Sequence, residues 1–146
     1  TEEIYKIVNK NETEDSIHLK NFPNIPQTWK NDQLFEKWSK LNNVRQVCNA
    51  AIEVKRSNKE LGSSLEADLE VYLEEQYLIL AKEINLSEYF ITSGAIAKPF
   101  DSKKQNLFQI ENISGVKVMV KKAKGNKCPR CWKITNNKCD KNTCPM

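Results

Sequence analysis

Histidine is almost absent from this 146-residue chain, and glycine is scarce: one His and four Gly. The lone His18 has no second histidine, serine motif or carboxylate pair near it in sequence, so no acid–base constellation can be assembled around it. It reads as a surface or turn residue. The glycines do not fall into G-x-x-x-x-G-K-[ST] or G-x-G-x-x-G, which excludes the common phosphate-cradling loops. No apolar run approaches the roughly 20 residues of a membrane helix. The start, Thr1-Glu2-Glu3-Ile4, carries neither a basic stretch nor an apolar signal segment. Internal repeats and low-complexity tracts are missing too. These absences lead us to expect a cytoplasmic protein, not bound to a membrane, whose function is binding rather than catalysis.

What the chain does have is charge, unevenly placed. Charged residues make up 29% and hydrophobic ones 39%, enough for a modest core. From Gly115 onward there are nine Lys or Arg against one acid, Asp140, while the rest carries fourteen basic and eighteen acidic residues. A tail at +8 on a body at −4 is the footprint of a polyanion partner, although a solvated lysine-rich tail would show the same composition.

The hydrophobic periods outline the elements. Residues 1–30 resemble the end of something larger: Ile4, Ile7 and Val8 have helical spacing, then Ser16 to Phe22 alternates briefly and stops at Pro23 and Pro26. A long helix is expected from Asp32 to Leu61. Leu34, Trp38, Leu41, Cys48 and Ile52 lie on one face, Val44, Val47 and Ala51 widen it, and Gly62 serves as the left-handed stop. Cys48, on that apolar face, reads as core. The period then changes to two: Leu65, Ala67, Leu69, Val71 and Leu73 alternate with polar partners, which predicts a half-buried strand. Ser63 and Glu66 could instead open a helix as a capping box. Residues 75–84 return to helix, with Glu74 and Glu75 as solvated charges. Tyr89–Thr92 predicts a short strand, and Val116, Val118 and Val120 predict another. The expected fold is α+β, a long helix packed with a small β-sheet and followed by a zinc-ribbon appendage. Its divisions fall at 1–30, 31–122 and 123–146.

The appendage rests on cysteine spacing. Cys128-Pro129-Arg130-Cys131 is a knuckle in which two intervening residues let both thiolates reach one ion, and Cys139 and Cys144 follow. Zinc takes four ligands in a tetrahedron, and a tail this short and apolar-poor needs a metal to fold. A disulfide is the alternative, disfavoured in a cytoplasmic setting. The second pair is irregular, with four residues between its cysteines. Either Cys139 and Cys144 complete the set of Cys128, Cys131, Cys139 and Cys144, or the chain is cut before a fourth ligand. Trp132 and Arg130, held by the knuckle, are groups that stack on and hydrogen-bond unpaired RNA bases, and Trp132 could otherwise roof the metal. Lys121, Lys122, Lys124, Lys127 and Lys133 are the candidate phosphate contacts.

Four stretches carry a resemblance: Ser16-Ile17-His18-Leu19 with Phe22-Pro23; Val44-Arg45; Leu61-Gly62-Ser63-Ser64-Leu65-Glu66-Ala67; and Lys127-Cys128-Pro129-Arg130-Cys131-Trp132. In this order they resemble the C-terminal region of the bacterial isoleucyl-tRNA synthetases. The resemblance implies the end of an anticodon-binding helical region, a junction domain and a zinc domain. The parent enzyme would be monomeric and attach isoleucine to its tRNA through an adenylate made from ATP. That chemistry would sit in a catalytic domain absent here, so this segment has no catalytic residues of its own. It further implies that Arg130 and Trp132 approach the anticodon of isoleucine tRNA. Two other readings stay open: a stand-alone zinc ribbon that binds nucleic acid or protein, and the zinc ribbon of a formamidopyrimidine-type DNA glycosylase. The latter uses an N-terminal proline where this chain has Thr1.

Overall fold

The computed structural model describes residues 1–10, 16–136 and 144, and its backbone divides into two compact units, 1–32 and 33–146. The first unit holds a short helix, α1 (Glu2–Val8), and two single 3-10 turns, Ile17–Leu19 and Gln27–Trp29. Glu2 ties α1 to the first turn: its Oε2 accepts from the Ser16 hydroxyl at 3.0 Å and from the Ile17 amide at 3.1 Å. Ser16 in turn accepts from the His18 amide, so the alternation at 16–22 is a capped turn, not a strand, and His18 is an exposed turn residue. None of the three elements contains a buried side chain.

The second unit begins with α2 (Asp32–Ser57), 26 residues long. Its middle and end bury Leu41, Val44, Val47, Cys48, Ala51 and Ile52, the stripe read from the sequence, whereas Leu34 and Trp38 remain 49% and 39% exposed. Cys48 is wholly buried within the core, and burial pushes its thiol far above the usual range. The helix stops four residues earlier than expected. The Glu60 amide bonds the Lys55 carbonyl (3.0 Å) and the Lys59 amide bonds the Arg56 carbonyl (2.9 Å), the paired bonds of a Schellman motif. The left-handed residue is therefore Lys59, at φ 59°, and not Gly62.

The segment 62–67 decides for the strand over a second helix. Ser63 caps a single 3-10 turn, Ser64–Glu66, by accepting from the Leu65 amide, and the chain then enters β1 (Ala67–Leu73). Ala67, Leu69, Val71 and Leu73 all point into the core against the buried face of α2. The remaining elements are α3 (Glu75–Ala81), α4 (Leu86–Tyr89), β2 (Gly94–Pro99), β3 (Phe108–Ile110), β4 (Ile113–Lys122) and a two-stranded ribbon of β5 (Asn126–Lys127) and β6 (Ile134–Thr135). The main sheet runs β2-β1-β4-β3. Strand β1 is parallel to β2 (Asp68 opposite Gly94) and antiparallel to β4 (Ala67 opposite Lys122). The fold is α+β, as expected.

One predicted strand is wrong. The β-prone run Tyr89-Phe90-Ile91-Thr92 is the end of α4 and the turn that follows it. Asn85 caps this one-turn helix by accepting from the Glu88 amide, and Leu86 and Phe90, four residues apart, are both buried. Cap and burial together outweigh strand propensity. No helix of the described residues is long and apolar enough to cross a membrane.

Candidate metal centre and nucleic-acid surface

Strand β4 delivers the chain to the ribbon. Just past its end the Ala123 amide bonds the Glu66 carbonyl at 2.8 Å. Gly125 follows at φ 137°, where a Cβ would overlap the Thr135 carbonyl, so only glycine lets β5 and β6 close on each other. They pair through Asn126–Thr135 and Lys127–Ile134. The loop between them is the knuckle. The Cys128 amide donates to the Lys133 carbonyl (2.9 Å), the Trp132 amide to the Cys128 carbonyl (3.0 Å), and the Cys131 amide to Cys128 Sγ (3.5 Å).

This wrapping brings the sulfurs of Cys128, Cys131 and Cys144 to within 4.8 Å of one another, Cys144 arriving from thirteen residues along the chain. None of the three is in a disulfide, and Cys128 and Cys144 are buried. Backbone amides of Cys131 and Arg130 donating to Cys128 pull its thiol down to about 6, with the neighbouring thiols adding to the effect. Amide donors aimed at a sulfur favour the thiolate, the form that ligates metal. In a tetrahedral site with sulfur about 2.3 Å from the ion, ligands lie about 3.8 Å apart, so this cluster fits one metal ion with little closing. Cys139, the other expected ligand, lies outside the described residues.

The candidate RNA contacts differ in exposure and partners. Lys122, Lys124, Lys127 and Arg130 are exposed and Lys133 is half-buried. Trp132 is 61% exposed, with Lys127 Nζ 5.9 Å from its ring centre. Its φ of 65° is left-handed, a conformation costing a bulky residue roughly 1–2 kcal/mol. Lys121 is differently placed, bonded to Glu70 Oε1 at 2.6 Å. This cluster on the sheet joins residues too far apart in the chain for any spacing rule to reveal. Glu70 also takes Lys98 at 3.0 Å, Lys104 at 3.8 Å and the Tyr72 hydroxyl at 2.7 Å. Led by the Lys121 bond, these partners hold the Glu70 carboxyl at about 2.

A mixed sheet covered by one long helix, with a cysteine knuckle mounted at the end of its longest strand, defines a small α+β domain bearing a cluster of thiols that could hold a metal ion. No family model matches the chain. It is 38% identical over 143 residues to an isoleucine–tRNA ligase of Pelagibacter ubique, covering 98% of this chain and 14% of that protein. It is 41% identical over 124 residues to the enzyme of the same name from Agrobacterium fabrum, covering 84% and 13%. Against the Rhodopseudomonas palustris ligase it is 36% identical over 129 residues, covering 86% and 13%. The chain is a homologue of one segment of the isoleucine–tRNA ligases, at their C-terminal end. It spans about an eighth of the length of these curated relatives.

Proposed function

We propose that this chain is the zinc-bearing, tRNA-reading portion of an isoleucine–tRNA ligase, working in the cytoplasm on isoleucine tRNA. Activation of the amino acid with ATP would belong to the part of the enzyme outside this segment. The observation that carries the reading is Trp132. A ring this exposed gains little from packing, yet it occupies a backbone conformation that favours glycine, and such strain is typical of positions kept for contact. The knuckle sets its direction, Arg130 stands two residues before it, and Lys122, Lys124 and Lys127 add exposed positive charge. Phosphate contacts from these lysines would hold any RNA and weaken as salt rises; the indole and guanidinium would meet bases, which is where one tRNA is told from another. Zinc suits a set of cysteine ligands in a closed structural site.

The test is tRNA binding by the intact ligase and its Trp132→Ala variant, with zinc content verified for both. Loss of a stacking aromatic is worth about 1–3 kcal/mol, so affinity for isoleucine tRNA should fall roughly tenfold or more. Equal affinities would reduce Trp132 to a lid over the metal.

A further inference from the structure

The stretch Leu61–Ala67 is among the most distinctive in the sequence, yet the functional reading gives it no task. Its backbone explains it. Beyond the Glu66 carbonyl that receives Ala123, the Leu65 carbonyl accepts from the Ser93 hydroxyl and the Ala67 carbonyl accepts from the Ser93 amide at 3.1 Å. The same Ser93 oxygen accepts from the Ile134 amide at 2.6 Å. Ile134 lies in β6, two residues after Trp132. The 62–67 stretch therefore meets both the entry to the ribbon, through Ala123, and its β6 arm, through Ser93. Along the second path a single hydroxyl uses its proton on the domain and a lone pair on the ribbon.

The loop that presents Ser93 is itself strained. Helix α4 ends in a Schellman pair, Thr92 amide to Ser87 carbonyl (2.9 Å) and Ile91 amide to Glu88 carbonyl (3.2 Å). This puts Ile91, a β-branched residue, at φ 57°, where such side chains are outliers. Thr92, wholly buried, then locks the turn by donating to the Gly94 carbonyl at 3.1 Å. Strain retained next to a residue that bridges two parts of a fold is spent on aiming that residue.

We propose that Ser93 is a positioning residue for the recognition knuckle: its hydroxyl, bridging the Leu65 carbonyl and the Ile134 amide, fixes the direction in which the metal ribbon presents Trp132 and Arg130. The role rests on the tRNA-reading function proposed above. The bridge ties the β6 arm of this ribbon of two-residue strands to the domain. Without it the metal would still bind, because no thiol depends on Ser93, but the β6 arm would lose this hold on the domain.

Two measurements test this with Ser93→Ala and Ser93→Thr. In the zinc-loaded chain, Ser93→Ala should speed amide exchange at Ile134 by tenfold or more, leaving zinc stoichiometry and exchange at Leu69 in β1 unchanged. In the intact ligase it should weaken isoleucine tRNA several-fold, and Ser93→Thr, which restores the hydroxyl, should recover both. Unchanged exchange at Ile134 overturns the bridge. If exchange rises but tRNA affinity holds while Trp132→Ala loses affinity, the bridge exists and the positioning role is wrong. If Trp132→Ala also keeps its affinity, the RNA reading has failed and this role fails with it.

Discussion

Removing the metal should unfold the ribbon and spare the domain. Among the described residues none beyond Val120 belongs to the main hydrophobic cluster, and Cys128 and Cys144 are the buried side chains past it, so the ribbon has little apolar burial to hold it. The hydrogen bonds of β5–β6, the knuckle and the two anchors return only about 1 kcal/mol apiece, against an ordering cost of about 1–2 kcal/mol for each residue. Metal binding must therefore supply the ribbon's folding free energy, as it does in small metal domains. Stripping the ion with a chelator under reducing conditions, or substituting Cys128→Ser, should therefore abolish amide protection at Cys128, Trp132 and Ile134. Protection at Leu69, Val71 and Val118 should stay, and the domain's denaturant midpoint should move little. Hydrogen exchange read residue by residue checks this. Persistent protection at Cys128 and Trp132 after verified metal removal would refute the reasoning, as would collapse of β1 and β4 together with the ribbon.

Two further outcomes follow from geometry elsewhere. Lys59→Gly should stabilise the chain by about 0.5–1 kcal/mol, because Lys59 holds the left-handed position of the α2 terminus; chemical denaturation at unchanged slope measures it, and a fall in midpoint would contradict the Schellman assignment. The Glu70 carboxyl sits at about 2 in the folded chain against 4.5 for its ordinary value. A depressed carboxyl contributes stability that is complete above the unfolded value and lost as pH falls through the folded one. The acid slope between about pH 4.5 and 2 should therefore be shallower in Glu70→Gln; an identical slope would mean the lysines do not hold the carboxyl.

The sequence reveals an element wherever one face is strongly apolar. Strands β1 and β4 were legible because Leu69, Val71 and Leu73, and Val116 and Val118, alternate with polar residues and are all buried. Strand β2 was not, because Gly94-Ala95-Ile96-Ala97 has small residues where a stripe would show. Smallness there is structural: a Cβ at Gly94 would strike the Asp68 carboxylate on β1. The helix stop was misplaced for a related reason. Gly62 is the better left-handed residue by propensity, but the bonds from Lys59 and Glu60 close the helix earlier at an energetic cost. Sequence predicts the cheapest conformation at each position, and tertiary structure does not always choose it.

The same distinction separates what was legible in the site from what was not. The cysteine cluster is local chemistry: a C-x-x-C knuckle announces itself, and Cys144 needed only a chain able to turn back. Trp132 and Arg130 became candidates because they sit inside that motif. What aims them is not local. The Ser93 oxygen meets partners 28 and 41 residues away, and no spacing rule ties a serine after Ile91-Thr92 to a hairpin near the far end of the chain. The strain at Ile91 and at Trp132 belongs to this non-local layer, since a left-handed φ at a β-branched or aromatic residue opposes every local propensity. Both strained residues lie along one short path, from α4 through Ser93 and Ile134 to the indole. The sequence thus nominates candidate contact groups, and the fold holds the segment that carries them through bonds no local pattern reveals.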